Sequence, residues 1–250
     1  MEYCQLSDKG LKRPNNEDYA RIYDSADKCV RFYIVADGMG GHVAGDVASR
    51  MAAERFGISA KNFTYTNESD LRRFVNHMAL VMDLELRTEA ARRFESEGMG
   101  TTFVMYVQVP GYGLMCNIGD SRGYILHGGE LKQITKDHSM IQSMMDRGVV
   151  FDDADRSKFV NRVTRAIGFL SDSDCNTFDI FKCSIEPGDV ILLCSDGLTS
   201  MLSDDKISSI LDTFKDPAKA AKALIDYANV NGGYDNITVS VMRCGAEDLI

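Results

Sequence analysis

Four aspartates in this sequence stand at the ends of apolar runs, where a carboxylate could do chemistry. Two follow a run directly as part of an Asp-Gly pair, and the other two flank a run more loosely: Asp37, Asp196, Asp120 and Asp235. An acid at the tip of a buried strand is costly unless it is paired or bound to a metal. Gathered at one end of packed sheets, the four would form the all-oxygen site that Mg²⁺ or Mn²⁺ prefers. Taken singly, each Asp-Gly is more typical of a turn.

The glycine-rich segment around Asp37 suggests a second interpretation, a loop that cradles phosphate. Residues 35–46 read VADGMGGHVAGD. A dinucleotide-binding loop would need glycine where Val43 stands, and a P-loop would need lysine where Asp46 stands. An acid there would repel phosphate, so the glycines indicate only a tight turn or a close backbone approach. We expect a structural role for His42 rather than a catalytic one.

A charged stretch near the N-terminus supplies a candidate for phosphate recognition. Arg13 stands shortly before Glu17 and Asp18, and these acids precede an apolar run. Arginine is suited to bidentate contact with phosphate oxygens, and the two acids could join a metal site. The alternative interpretation is an ordinary solvated loop.

Hydrophobic periodicity predicts an α+β fold, with antiparallel sheets packed between helices. Runs rich in β-branched and aromatic residues predict strands over 19–23, 30–36, 102–109, 114–118, 123–126, 190–194 and 237–242, and a hairpin at Gly128-Gly129 leading into 131–134. Helical spacing predicts helices over 45–55, 71–97, 138–146, 204–212 and 217–229. Consecutive strands with short connections, and helices in separate blocks, favour antiparallel over parallel sheets.

Net charge, apolar runs and cysteine usage argue against several classes of protein. The 250 residues carry a net charge of −9, which argues against binding to duplex DNA or to an anionic membrane surface. The sequence has neither an apolar signal core near its start nor a run approaching the roughly 18 apolar residues of a membrane span. Its seven cysteines form no C-x-x-C pair, and several stand in apolar runs, which is typical of buried free thiols in a reducing compartment. We therefore expect a soluble, cytoplasmic protein.

Eight short segments follow one another along the chain: RPNNED at 13–18, VADGMGGH at 35–42, GTT at 100–102, IGDSR at 118–122, TKDHS at 135–139, VTRAIG at 163–168, CSDGL at 194–198 and YDNIT at 234–238. In this order they resemble those of the metal-dependent protein phosphatase family, the type-2C serine/threonine phosphatases. Together they extend over almost the whole chain, which makes the resemblance specific. The compact length and the segment DGMGGH are more similar to the bacterial-type branch than to the larger eukaryotic members.

The resemblance implies a fold and a domain organisation. A central β-sandwich flanked by helices, αββα, would form a single domain over residues 1–250, in agreement with the periodicity. Residues of about 136–168 would form a variable flap beside the site. Its side chains could contact a protein substrate, and Arg162 or Arg165 could meet a second phosphate. Ordinary packing and surface charge are equally compatible with this part of the sequence.

The resemblance also implies a binuclear Mn²⁺ or Mg²⁺ centre. The assignments by motif position are Asp37 as the bridge between the metals, Gly38 as a carbonyl ligand, Asp196 and Asp235 at one metal, Glu17 or Asp18 at the other, in part through water, and Asp120 at a third, weaker metal. The metals would activate a water that attacks phosphorus in line, while Arg13 grips the phosphate. Arg13, Asp37 and Asp196 would then carry the catalysis.

The activity implied is hydrolysis of phosphoserine and phosphothreonine in protein substrates, in opposition to a serine/threonine kinase. Two other classes stay open: a non-catalytic relative that binds partners, which the intact acids disfavour, and a phosphohydrolase of small phosphate esters. One departure from the eukaryotic members matters for proton transfer, since Met39 replaces the histidine that follows their Asp-Gly. A water on the third metal could protonate the leaving group instead, which is a hypothesis.

Overall fold

A computed structural model describes residues 1–40, 44–92, 98–150, 159, 162–170 and 178–249. Three expectations fall wholly or partly outside these residues: the role of His42, the end of the helix predicted over 71–97, and the middle of the flap predicted over 136–168. The predicted α+β architecture is confirmed, because two antiparallel sheets pack face to face and helices cover both outer faces.

The described strands belong to two sheets. The first sheet has the order β1-β11-β10-β7-β8, formed by Glu2–Asp8, Ile237–Arg243, Val190–Cys194, Arg122–His127 and Glu130–Gln133. The second has the order β2-β3-β5-β6-β9, formed by Asp18–Asp24, Arg31–Met39, Phe103–Val109, Tyr112–Ile118 and Asp179–Cys183, and the two-residue strand β4, Gly100–Thr101, pairs with the end of β3. Each pairing of neighbouring strands is antiparallel.

Alternating side chains of the central strands build three apolar layers. In β3, Tyr33 and Val35 point into the space between the sheets, where they pack with residues such as Leu193 of β10. Phe32 and Ile34 point the other way, into a layer beneath the helices. Because the side-chain period of a strand is two, one strand serves both layers, and all four of its residues are fully buried.

In the described part of the chain, two helices cover the second sheet and three cover the first. Helix α1, Ala44–Ala60, and α2, Glu68–Arg92, bury apolar residues against β3 and its neighbours. On the opposite face, α4, Asp196–Thr199, α5, Asp204–Thr213, and α6, Pro217–Val230, pack on the first sheet. None of the helices in the described part of the chain combines the length and apolarity that crossing a membrane would require.

The predicted elements are found, with shifts at their ends that have local causes. The helix predicted from residue 138 begins at Met140 as α3, Met140–Met145, because the Ser139 hydroxyl accepts the backbone N–H of Gln142 at 3.2 Å and caps the first turn. Strands β1 and β9 were not predicted, because they are edge strands with weak alternation. Helix α4 was not predicted either, because its four residues are too few to show helical spacing. The expected buried free thiols are present at Cys116, Cys183 and Cys194.

Candidate active site

A cleft of about 520 Å³ opens at one end of the sandwich, where strands of both sheets begin or end. Strands β3, β6 and β10 end at this side, and β11 begins there. Seven of the predicted site residues line the cleft: Arg13, Glu17, Asp37, Gly38, Asp120, Asp196 and Asp235. The eighth, Asp18, is buried at the start of β2, paired in register with Asp37 of β3. The structure therefore brings together residues that are up to 222 positions apart.

The backbone of Asp37 is fixed by two threonines that sequence analysis did not assign a role. The Asp37 N–H donates to Thr102 Oγ1 at 3.0 Å. Its carbonyl accepts the Thr102 N–H and the Thr101 hydroxyl, each at 2.9 Å. The Thr102 hydroxyl also lies 2.7 Å from that of Ser121, next to Asp120. The GTT segment thus links the turn at Asp37 to the turn that carries Asp120.

Gly38 stands where a side chain has no room. A Cβ added there would lie 1.9 Å from the Gly45 carbonyl oxygen and 2.7 Å from that of Glu17. The Glu17 carbonyl accepts the Gly38 N–H at 3.1 Å. The glycine therefore allows three backbone segments to meet beside Asp37, which agrees with the close backbone approach expected from sequence.

Asp18 and Asp196 are joined through a serine that bridges the two sheets. The Ser195 hydroxyl donates to Asp18 Oδ2 at 2.7 Å and accepts the Thr238 N–H at 2.9 Å. The other oxygen, Asp18 Oδ1, is buried and has no hydrogen-bond partner among the described residues. An unsatisfied buried carboxylate oxygen is unusual and points to a group that the protein chain itself does not supply.

Asp235 and its neighbour organise the N-terminal loop. Arg13 Nη2 donates to Asp235 Oδ2 at 2.7 Å, which places the guanidinium at the cleft. The Asn236 amide accepts the Glu17 N–H and donates to the Lys9 and Asn15 carbonyls, each at 2.8 Å. Sequence analysis had assigned no role to Asn236, although it lies within the YDNIT segment.

The acids at the cleft raise one another's pKa. Burial, with repulsion from Asp18 and Asp196, raises the pKa of Asp37 well above its ordinary value. Burial and the nearby Asp196 raise the pKa of Asp120 to about 7, and burial and Asp235 raise the pKa of Asp196 to about 6. The cleft therefore concentrates negative charge that a cation would stabilise.

The described part of the flap meets the cleft on one side. Met140, Arg162 and Val163 line the cleft, and the Arg162 guanidinium stacks over the Phe159 ring at 5.7 Å. Arg165 differs from expectation, because its Nη1 donates to Asp179 Oδ1 at 2.9 Å and Arg165 is not among the cleft-lining residues. Of the two arginines considered for a second phosphate, only Arg162 is placed to meet a ligand in the cleft.

Comparison with known proteins identifies the family. Residues 12–240 match the family described as protein phosphatase 2C. The serine/threonine phosphatase Stp of Listeria innocua is 34% identical over 239 residues, which cover 95% of this chain and 93% of that protein. The chain belongs to the protein phosphatase 2C family, and the predicted membership among the bacterial type-2C serine/threonine phosphatases is confirmed.

Solved structures with about the same sequence identity as the Listeria protein support the fold. A serine/threonine phosphatase of Streptococcus agalactiae superposes with a TM-score of 0.88 at 31% identity, covering 96% of this chain and 98% of that one. The catalytic domain of the phosphatase PstP, solved with two manganese ions, gives a TM-score of 0.81 at 31% identity, with 96% of each chain covered. The predicted αββα sandwich is therefore shared with proteins of this family.

Proposed function

We propose that this protein hydrolyses phosphoserine and phosphothreonine in protein substrates and depends on divalent metal ions to do so. The observation that carries the proposal is the set of four cleft aspartates, drawn from both sheets, beside the Arg13 guanidinium. The family relationship sets the reaction class, since relatives of similar length bear the name serine/threonine phosphatase.

The chemistry of the donor set fits Mn²⁺ or Mg²⁺. The cleft offers carboxylate and carbonyl oxygens and, among its described lining residues, neither histidine nor cysteine. The raised pKa of Asp196 and the unsatisfied Asp18 Oδ1 both indicate that negative charge exceeds what the chain neutralises. In this proposal Asp37 would be shared by two cations, Gly38 would lend its carbonyl oxygen, and Asp196 and Asp235 would hold one of the cations. Glu17 or Asp18 would support the other, and Asp120 would help to hold a weaker third.

The acids are not preassembled as a tight cluster. Within the described ranges, no three His, Cys, Asp or Glu side chains are grouped closely enough to hold a metal as they stand. Arg13 pairs with Asp235 at 2.7 Å and so supplies positive charge to one of these carboxylates. With Asp235 engaged by a cation instead, Arg13 would be left to bind the substrate phosphate.

These positions indicate what the cations and each cleft residue would contribute to the reaction. Divalent cations supply a strong nucleophile from water at neutral pH and neutralise charge on the phosphoryl oxygens. Arg13, freed from Asp235, would orient the phosphate through paired hydrogen bonds. Arg162 and Met140 would contact the part of the substrate beyond the phosphate. Met39 also lines the cleft but carries no proton to donate, so the leaving group must receive its proton from elsewhere.

The substrates in this proposal are phosphorylated proteins, together with the serine/threonine kinase that produces them, and the compartment is the cytoplasm. Two alternatives would use the same fold: a non-catalytic partner-binding protein and a phosphohydrolase of small phosphate esters. The intact acids weigh against the first alternative, because carboxylates that face one another in a cleft without a cation destabilise the fold. The second differs only in what the flap contacts.

The deciding experiment compares turnover of a phosphothreonine peptide, a phosphotyrosine peptide and p-nitrophenyl phosphate, each with Mn²⁺ and with EDTA. We expect Mn²⁺-dependent turnover with preference for phosphothreonine, and loss of at least about 10³-fold in Asp196→Asn, since metal sites contribute several kcal/mol. The matched control is Asp212→Asn, which removes an exposed acid of α5.

Three outcomes would contradict parts of the proposal. Absence of metal-dependent turnover on all three substrates would exclude both enzymatic functions. Turnover of the small ester without either peptide would favour the phosphohydrolase alternative. Undiminished activity of Asp196→Asn would overturn the metal assignment specifically.

A further inference from the structure

His138, in the TKDHS segment, is a buried histidine that lies outside the cleft but touches the turn that carries Asp120. Its side chain is only 13% exposed. One ring nitrogen faces Gly119, the residue before Asp120, and the other faces Asp179 at the start of β9. Neither the metal sites nor the phosphate contacts proposed above assign it a role.

The hydrogen bonds of the ring fix its tautomer. The Gly119 N–H donates to His138 Nδ1 at 3.0 Å, so Nδ1 carries no proton. The proton therefore lies on Nε2, which donates to Asp179 Oδ2 at 3.3 Å. Arg165 Nη1 lies 3.2 Å from the same Nε2. Both nitrogens are donors and do not bond to each other; each donates to the carboxylate of Asp179, which therefore keeps the two side chains next to each other.

The backbone of His138 joins the same two regions as its ring. Its N–H donates to the Gly119 carbonyl at 2.9 Å, and its carbonyl accepts the Thr164 N–H at 2.8 Å. The next residue, Ser139, forms an isolated bridge with Val163. His138 thus connects the turn before Asp120 to residues 162–165, of which Arg162 and Val163 line the cleft.

The turn depends on such support because its conformation is unusual. Gly119 has φ of +108°, and a Cβ there would lie 2.6 Å from Thr102, so only glycine fits. The Gly119 N–H is satisfied by a side chain rather than by a strand partner. Removing that acceptor would leave a backbone donor without its partner beside the Asp120 carboxylate.

We propose that His138 is a positioning residue, which sets the Asp120 carboxylate through the Gly119 N–H and ties that turn to residues 162–165. The inference rests on the proposed function, in which Asp120 holds a weaker metal. It resembles the way in which outer hydrogen bonds orient metal-binding groups in other proteins. Asp179 and Arg165 serve the same purpose one step further out, since they orient the ring.

Two substitutions test the hydrogen bonds of the two ring nitrogens, Nδ1 and Nε2, separately. In His138→Asn the side-chain oxygen takes the place of Nδ1 and keeps an acceptor for Gly119. In His138→Gln the side-chain amide takes the place of Nε2 and keeps the bond to Asp179. The matched control is His127→Asn, which removes an exposed histidine at the far end of β7.

The measurements are the Mn²⁺ concentration for half-maximal phosphothreonine-peptide hydrolysis and, independently of activity, Mn²⁺ binding followed by electron paramagnetic resonance. We expect His138→Gln to weaken the weaker class of Mn²⁺ sites about 10-fold, the lower end of the effect of outer-shell groups. His138→Asn and His127→Asn should stay within about 3-fold of wild type. Turnover at saturating Mn²⁺ should largely recover, which a general loss of folding would not allow.

Equal Mn²⁺ affinities in His138→Gln and His138→Asn would overturn the proposal, because the Gly119 bond would then carry no effect. If His138→Gln does not fold, His138→Ala provides the test, because it also removes the acceptor for the Gly119 N–H. An Mn²⁺ affinity of His138→Ala within about 3-fold of that of His138→Asn would overturn the proposal, and a larger loss would support it. Wild-type protein without turnover would refute the proposed function, while Mn²⁺ binding would still decide the role of His138.

Discussion

Two groups of carboxylates lie close together in this protein and differ in how their negative charge is balanced. The first group lines or underlies the cleft, where burial raises the pKa of Asp120 and Asp18 to about 7. The second group stands just outside, where Asp137 pairs with Arg122 and Asp179 with Arg165. Hydrogen bonds from His138 and Arg165 lower the pKa of Asp179 to about 2. The residue type is the same, and the source of counter-charge differs.

The comparison separates acids that stabilise the fold from acids that, in the proposed function, would hold metal ions. An acid that has an arginine partner within the chain is satisfied once the protein folds. An acid that faces other acids raises the free energy of the folded state until a cation arrives. The two groups should therefore respond to neutralisation with opposite signs, and that contrast can be tested one residue at a time.

The largest effect on stability is expected at Asp137. Arg122 Nε lies 3.0 Å from both carboxylate oxygens and Nη2 lies 2.7 Å from Oδ2, while the Asp137 side chain is only 12% exposed. Asp137→Asn would leave the Arg122 guanidinium without its counter-ion, at a cost of about 3 kcal/mol. Urea denaturation measures the change, and Asp212→Asn, which breaks an exposed pair, should leave the midpoint almost unchanged. Equal midpoints for the two variants would contradict this assignment.

A smaller loss is expected at Asp83 of α2, a buried acid with a different kind of partner. Its Oδ1 accepts the N–H groups of Gly168 and Leu170 at 2.7 and 3.1 Å, and its Oδ2 lies 2.7 Å from Arg87 Nε. Asp83→Ala leaves two N–H donors without an acceptor and should lower the free energy of unfolding by about 2 kcal/mol.

Asp83→Asn is the matched control, because it keeps an oxygen for Gly168 and Leu170 while removing the charge that Arg87 sees. We expect it to cost about half as much as Asp83→Ala in the same urea titration. If both substitutions cost the same, the ion pair and not the two backbone hydrogen bonds would hold the end of the flap against α2.

Neutralising Asp196 is expected to stabilise the metal-free protein instead of destabilising it. In EDTA, Asp196→Asn should raise the free energy of unfolding by on the order of 1 kcal/mol, because it removes a buried charge that faces Asp37 and Asp235. With excess Mn²⁺ the wild type should instead be more stable than Asp196→Asn, since ligand binding stabilises only a folded state that can hold the ion. Thermal denaturation with and without Mn²⁺ measures both. An Asp196→Asn protein that is less stable than wild type in EDTA would place this acid in the paired group.

The sequence predicted the cleft acids better than it predicted their supports, and the reason is physical. Asp37 and Asp196 follow apolar runs directly, so their position at strand ends can be read from a few neighbouring residues. The contacts that hold them come from far along the chain, as when the Asp37 N–H donates to Thr102, 65 residues away. Such contacts depend on how strands pair, and local periodicity does not encode that pairing.

The same limit explains the errors made at the flap and at the edges of the sheets. Arg165 was a candidate for phosphate contact because the sequence does not show that Asp179 lies beside it. Strand β9, which brings Asp179 there, is half-exposed and lacks the regular alternation of a central strand. Edge strands bury less and so carry a weaker pattern.

The smallest effect is expected at an ion pair away from the cleft, between the exposed His127 and the buried Asp189. Its Nδ1 lies 2.7 Å from Asp189 Oδ1, and the hydrogen bond raises the pKa of His127 above 6.5. A raised folded pKa means that the stabilising contribution is complete below pH 6.5 and is lost as pH rises through the folded value. Because the imidazole is in water, salt should weaken the interaction. The NMR titration of the ring C–H signals should give a midpoint above 6.5 at low salt that falls in 1 M NaCl. A midpoint at or below 6.5 at low salt would show that the buried Asp189 does not stabilise the charge of an exposed imidazole, and that effective pairing needs burial of both partners.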